Sequence, residues 1–153
     1  MILGIDHIGI ATRAPAGVAA PLRALGMSQH YSGLAESYGV ACEFWGFADF
    51  SHFQHGTEVE VVSPATPGEG ALRSHGNGLH HLAFEVDDLD FELRRLVGLG
   101  FVRIDKLPRA GARPGMRVAF LYAEEPAALL VELVEYRSGK PDRPVKVVPD
   151  AWV

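Results

Sequence analysis

The stretch Gly78–Val86, G-L-H-H-L-A-F-E-V, decides how the chain folds. At the two-residue period of a strand, His81, Ala83 and Glu85 share one face, and His80, Leu82 and Phe84 share the other. Adjacent histidines then point opposite ways, so whichever is inward leaves the other a packing or supporting role; register with His7 assigns the inward position to His81. Residues 2 to 12, I-L-G-I-D-H-I-G-I-A-T, alternate in the same manner and put Ile5, His7 and Gly9 on one face. At an offset of 74 residues the two halves of the chain align without a gap from Ile5/Leu79 to Met27/Phe101. His7 falls on His81, Leu22 on Leu96, Leu25 on Leu99 and Gly26 on Gly100.

The repeated unit reads as strand, helix and three strands. In the first half Pro15 opens a helix that Gly26 ends, and short strands come next at 27 to 31, 38 to 47 and 57 to 63. The last of these, T-E-V-E-V-V-S, puts Glu58, Glu60 and Val62 on one face, so that face is solvated or lines a polar cavity. In the second half a helix from about Asp88 to Leu99, capped by Asp87 or Asp88, stops at Gly100. Strands at 101 to 105, 116 to 122 and 129 to 136 come after it, with a Gly, Pro and Arg loop at 108 to 115. The expected fold is α+β, with modules at about 1–66 and 78–136 in a single domain 1–136. The Pro- and Gly-rich linker 64–77 divides them, and residues 137–153 read as an irregular tail that packs on the domain or on a second subunit.

With 48% apolar residues the chain has material for a core, and its short, charge-interrupted apolar runs predict neither a membrane span nor a leader, hence a cytoplasmic protein without a membrane partner. The single cysteine, Cys42, fits a reducing compartment. The net charge of −5 argues against nucleic acid, but it is unevenly spread: residues 1–93 carry −9 and residues 94–153 carry +4. The basic residues from Arg94 to Arg117 read either as a landing surface for an anionic ligand or as a solvated helix face followed by a charged loop.

Each module offers a histidine on its first strand and a glutamate on its last: His7 and Glu60, 53 residues apart, and His81 and Glu132, 51 apart. Two imidazoles and two carboxylates on one cavity suit a borderline divalent ion, Co, Ni, Mn, Fe or Zn rather than Ca. A strand histidine also serves as a satisfied core residue, and a strand glutamate ordinarily faces solvent. The equivalence of all four positions in a duplicated unit is what favours the metal. Trp45, with Phe47, Phe50 and Phe53, fits either an aromatic substrate pocket or ordinary core packing.

The segments I-D-H-I-G-I-A at 5–11, T-E-V-E-V-V-S-P at 57–64, G-L-H-H-L-A-F-E-V-D-D-L at 78–89 and L-L-V-E-L-V-E at 129–135 together resemble the vicinal oxygen chelate superfamily, which includes glyoxalase I, bleomycin resistance proteins and extradiol dioxygenases. Within it the chain is most similar to methylmalonyl-CoA epimerases. The resemblance implies two βαβββ modules in a half-open, cup-like mixed sheet, one divalent ion on His7, Glu60, His81 and Glu132, and a homodimer. It further implies an isomerase that abstracts the proton alpha to the carbonyl of an acyl-CoA or other thioester. Glu43 and Glu132 are the implied bases, with Cys42 competing for the first position, and Arg117 is the implied partner of a substrate carboxylate. A glyoxalase I-type lyase uses the same ligand set. A drug-binding resistance protein and a tailoring enzyme of secondary metabolism share the fold. The epimerases' His-Pro-Lys type turn before the last strand is replaced here by A-E-E-P-A-A at 123–128.

Overall fold

A computed structural model describes residues 1–47, 56–72 and 76–140. The first half runs β1 (Ile2–Ala11), α1 (Pro15–Ala24), β2 (Met27–Ala35), a 3-10 turn (Glu36–Tyr38), β3 (Val40–Phe47) and β4 (Glu58–Pro64). The second runs β5 (Gly78–Val86), α2 (Leu89–Gly98), β6 (Val102–Arg103), β7 (Arg109–Ala110), β8 (Met116–Ala123) and β9 (Leu129–Tyr136). Phe50, Phe53 and the tail from 141 onward lie outside the described residues.

The strands form one mixed sheet in the order β2-β3-β4-β1-β5-β9-β8-β6, with β7 on β8. Each half closes on its own first strand through a parallel pair, β1 with β4 and β5 with β9. The halves meet at one antiparallel seam between β1 and β5. The α+β architecture of two modules is therefore as expected, although β6 is only two residues long.

Local chemistry accounts for the helices. Pro15 starts α1, where its missing N–H costs nothing, and Gly26 leaves it at φ 86°. Asp88 caps α2 by accepting from the Phe91 N–H at 2.8 Å. α1 packs Ala19 and Leu22 on Met27, Trp45 and Val61. α2 packs Leu89, Leu93 and Leu96 on Ala119, Leu121, Val131 and Leu133. Each such leucine contributes roughly 1.5–3 kcal/mol by leaving water. Both helices lie on one face of the sheet. The other face gathers Val40, Phe44, Val62, Ala83, Met116 and Val118, and there the cavity lies.

The seam departs from strict alternation. Gly9 pairs with His81 but Ile10 pairs with Leu79, so His80 is an extra residue on β5. Likewise Ile5 pairs with Phe84 and His7 with Ala83, which leaves Asp6 extra on β1. These are β-bulges, which re-aim a side chain at the cost of a ladder position. In consequence Asp6 is buried next to buried His7, and His80, expected on the face opposite His81, lines the cavity with it.

The linker is also more than a spacer. Ala71 N–H donates to the Tyr38 carbonyl at 2.9 Å, Leu72 is buried in the core, and Ala71 contributes to the cavity wall. Gly70 is packed so closely on Gly39 that a Cβ there would sit 2.5 Å from the Gly39 carbonyl oxygen. Among the described residues no helix is long and apolar enough to cross a membrane.

Candidate metal centre and cavity

The seam strands supply the two histidines and the strands parallel to them supply the two glutamates. Gly9 of β1 pairs with Glu60 of β4, and Ala83 of β5 pairs with Glu132 of β9. His7, Glu60, His81 and Glu132 are all buried, and one ligand atom from each lies within 4.8 Å of every other. His7 Nε2 stands 3.2 Å from Glu60 Oε2 and 3.0 Å from Glu132 Oε2. His81 Nε2 stands 3.3 Å from each, and the two Nε2 atoms are 3.1 Å apart.

This set fits a divalent ion. Donor atoms bonded at about 2.0–2.2 Å to one ion lie about 3–3.4 Å from one another, the spacing found here. Glu132 Oε2 is buried and receives no conventional hydrogen bond. His7 Nδ1 is 2.7 Å from Asp6 Oδ2, an acceptor only, so Nδ1 carries the hydrogen and the Nε2 lone pair aims at the cluster. Without an ion, protons supply the balancing charge. Burial alone pushes both histidine pKa values down, but Glu60 and Glu132, joined at His7 by Asp6, push them further up. Burial alone raises the two glutamates, and His7 and His81 overcome it and hold them below the usual carboxylate range.

Further residues brace these ligands. Tyr136 donates its hydroxyl hydrogen to Asp6 Oδ2 at 3.2 Å, and Lys140 Nζ lies 2.8 Å from Asp6 Oδ1. His80 Nδ1 faces His81 Nδ1 at 2.8 Å. Opposite His81 only glycine fits, because a Cβ on Gly9 would lie 2.1 Å from His81 Cε1. Glu58, the second carboxylate of β4, is fully buried under the Arg113 guanidinium, which donates to both its oxygens at 2.9 and 3.0 Å and stacks 3.8 Å from the Phe44 ring centroid.

A chamber of about 50 Å³ opens beside the cluster, walled by Val40, Cys42, Val62, Met116, Val118 and Phe120. Tyr38, Ala71, His80 and Phe120 also border an outer groove of about 590 Å³ that reaches Ser37, Asp105 and Arg109. Asp105 fixes this neck by accepting from the Tyr38 hydroxyl at 2.7 Å and the Phe120 N–H at 2.8 Å, and it pairs with Arg109 at 3.0 Å.

The structure brings His7, Glu60, His81 and Glu132 together. It does not bring Glu43, Trp45 or Arg117 to them. On β3, Val40, Cys42 and Phe44 face the cavity, while Glu43 turns to the helix side and accepts from Trp45 Nε1 at 3.2 Å. Trp45 is buried under α1 with Arg23 5.1 Å over its ring, so it packs the core and does not line the pocket. On β8, Arg117 points away from Met116 and Val118 and pairs with Glu135 at 2.5 Å and Asp90 at 3.2 Å. Cys42 takes the cavity position, and burial followed by the nearby Glu60 pushes its thiol pKa up, which keeps it protonated. Sequence reasoning missed Asp6, Tyr38, Arg113, Tyr136 and Lys140. Only the Asp-His adjacency at 6–7 carried a local signal.

A family model described as the glyoxalase/bleomycin resistance protein/dioxygenase superfamily matches residues 6–120. An uncharacterized protein, YqjC, of Bacillus subtilis (strain 168) is 33% identical over 135 residues, covering 86% of this chain and 91% of the relative. A mitochondrial methylmalonyl-CoA epimerase of Dictyostelium discoideum is 34% identical over 102 residues, 64% of this chain and 57% of that protein. Among solved structures, a variant of Streptomyces coelicolor methylmalonyl-CoA epimerase in complex with 2-nitronate-propionyl-CoA superposes with a TM-score of 0.75 at 26% identity, covering 90% of this chain and 99% of that one. With the duplicated fold and the four-residue centre already in place, these matches mean that the chain belongs to the glyoxalase/bleomycin resistance protein/dioxygenase superfamily.

Proposed function

We propose that the chain is a metal-dependent isomerase of the epimerase kind, moving the proton on the carbon beside the thioester carbonyl of a methylmalonyl-CoA-like substrate. The observation that carries this reading is the convergence of His7, Glu60, His81 and Glu132 at the wall of a small apolar chamber. His7, Glu60, His81 and Glu132 would hold a divalent ion, which would supply Lewis-acid polarisation of the substrate's carbonyl oxygens. The chain's own residues do the rest. Glu132 takes the alpha proton as a carboxylate, the form its histidine neighbours favour. Glu60, its counterpart in the other half, stands on the other flank in the role expected of Glu43: it returns there a proton taken up from solvent between turnovers, while Glu132 releases to solvent the one it gained. The chamber walls hold the short acyl branch and exclude water, and the outer groove takes the rest of the thioester.

A second reading is a glyoxalase I-type lyase. It is favoured by one observation, that the cavity carboxylates are the ligand pair Glu60 and Glu132 while β3 presents the Cys42 thiol. Metal analysis coupled to isotope exchange separates the two. Protein loaded with Co(II) or Zn(II) is expected to wash solvent deuterium into methylmalonyl-CoA, and a chelator abolishes the exchange. No exchange at full metal occupancy overturns the epimerase reading, and turnover of a glutathione hemithioacetal by that protein establishes the second.

A further inference from the structure

The two halves hold their histidines with the same device built from different residues. At the offset of 74, Asp6 is the counterpart of His80 just as His7 is of His81. Both are the extra residue of a β-bulge at the seam, and both place a polar atom against Nδ1 of the histidine that comes next in the chain. The separations are 2.7 Å for Asp6 Oδ2 to His7 Nδ1 and 2.8 Å for His80 Nδ1 to His81 Nδ1. A bulge gives up a regular ladder position, so its occurrence at the same place in both halves reflects what it achieves there. It turns two consecutive side chains toward the centre, a candidate metal ligand and the residue that holds that ligand in place.

We propose that His80 is a positioning residue for the metal centre, accepting the Nδ1 hydrogen of His81 so that the His81 Nε2 lone pair is presented to the ion. One hydrogen lies between the two Nδ1 atoms. If His80 Nδ1 donated it, His81 Nδ1 would be the acceptor and its Nε2 would carry the ring's hydrogen, pointed at His7 Nε2 3.1 Å away and unable to bind an ion. The metal-binding arrangement is therefore the one in which His80 accepts. The device is unequal in the two halves. Asp6 is a buried carboxylate tied down by Tyr136 and Lys140, whereas His80 is half-buried at the neck between chamber and groove, edge-on to Phe120 with ring centroids 6.4 Å apart.

The inference rests on the metal-centre reading, and the test keeps the two apart. Apo protein, His80→Asn and His80→Phe are titrated with Zn(II) and Co(II) against a competing chelator, alongside the melting temperature of each apo form. Asparagine keeps an acceptor oxygen near the place of Nδ1 and loses the ring; phenylalanine keeps the ring and loses the acceptor. The expected result is a fall in metal affinity of about 10- to 100-fold for His80→Phe, near-native affinity for His80→Asn, and an altered Co(II) ligand-field spectrum in the phenylalanine variant alone. Native affinity in both variants, or a loss in asparagine that phenylalanine does not share, overturns the assignment and leaves the metal centre standing. Absence of metal uptake by the unmodified protein overturns both.

Discussion

The Nε2 atoms of His7 and His81 face each other across 3.1 Å with a glutamate oxygen on either flank. Protons and a metal ion compete for this point, and the competition has a definite sign. In the metal-free protein both histidines have pKa values above 6.5, so their stabilising contribution is full below that pH and is lost as pH rises through the raised values. Glu60 and Glu132 lie below 4.5, so theirs is full above that pH and is lost as pH falls through the lowered values. Metal-free protein is thus expected to be most stable between about pH 4.5 and 6.5 as far as these four groups decide it. Metal binding needs neutral imidazoles, releases protons and strengthens with pH. Calorimetric melts with Zn(II) and with chelator should diverge progressively above about pH 6.5; a constant gap across that range contradicts the arrangement.

Gly9 lies under the His81 ring with no room for a methyl group. Gly9→Ala is expected to push the ring off the cluster, lowering metal affinity by at least about tenfold, the scale seen when the support of a ligand is lost. Gly4 on the same strand has open space around its Cβ position. Gly4→Ala therefore serves as the control and should bind metal as the parent does.

Proton exchange should depend on which face each carboxylate takes. Glu132→Gln is expected to lose exchange by about 10²-fold or more, the range of a positioned base. Glu43→Gln, whose side chain sits against Trp45 on the helix side, should leave the exchange rate within about twofold. Equal losses in the two variants would place Glu43 in the cavity, against the register of β3.

Arg113 and Glu58 form a buried ion pair, with Lys140 Nζ 3.5 Å from Glu58 Oε2, and removing either partner alone takes from the other's buried charge its two-pronged counter-charge. Arg113→Met or Glu58→Gln is expected to cost about 3–5 kcal/mol in denaturant unfolding. The double variant should cost less than the sum. Additivity would mean that the pair does not interact as its geometry indicates.

How much of this is legible in the sequence depends on what sets each position. His7, His81, Glu60 and Glu132 are legible because the two halves repeat them at matching places in matching strands, a comparison internal to the sequence. The strand-helix pattern is legible from Pro15, Gly26, Asp88 and Gly100, whose backbone preferences are local. The sides taken by Glu43, Trp45 and Arg117 are not, since a shift of one residue in strand parity reverses every side chain, and only the packing of α1 and α2 settles which face is which. Asp6 and His80 escape the alternation rule for another reason: a bulge is a property of the pair of strands, visible only when β1 and β5 are laid side by side. Arg113 and Lys140 come from irregular segments whose position has no periodic trace.

The seam between β1 and β5 has a last consequence. Each module taken singly owns one imidazole and one carboxylate, half of a chelate, and the other half arrives only when the modules dock. An ion bound there would act as a rivet between the two modules, and its affinity would be inseparable from the work of keeping them together. Prying the seam open by a few ångströms would discharge the ion before either module had unfolded.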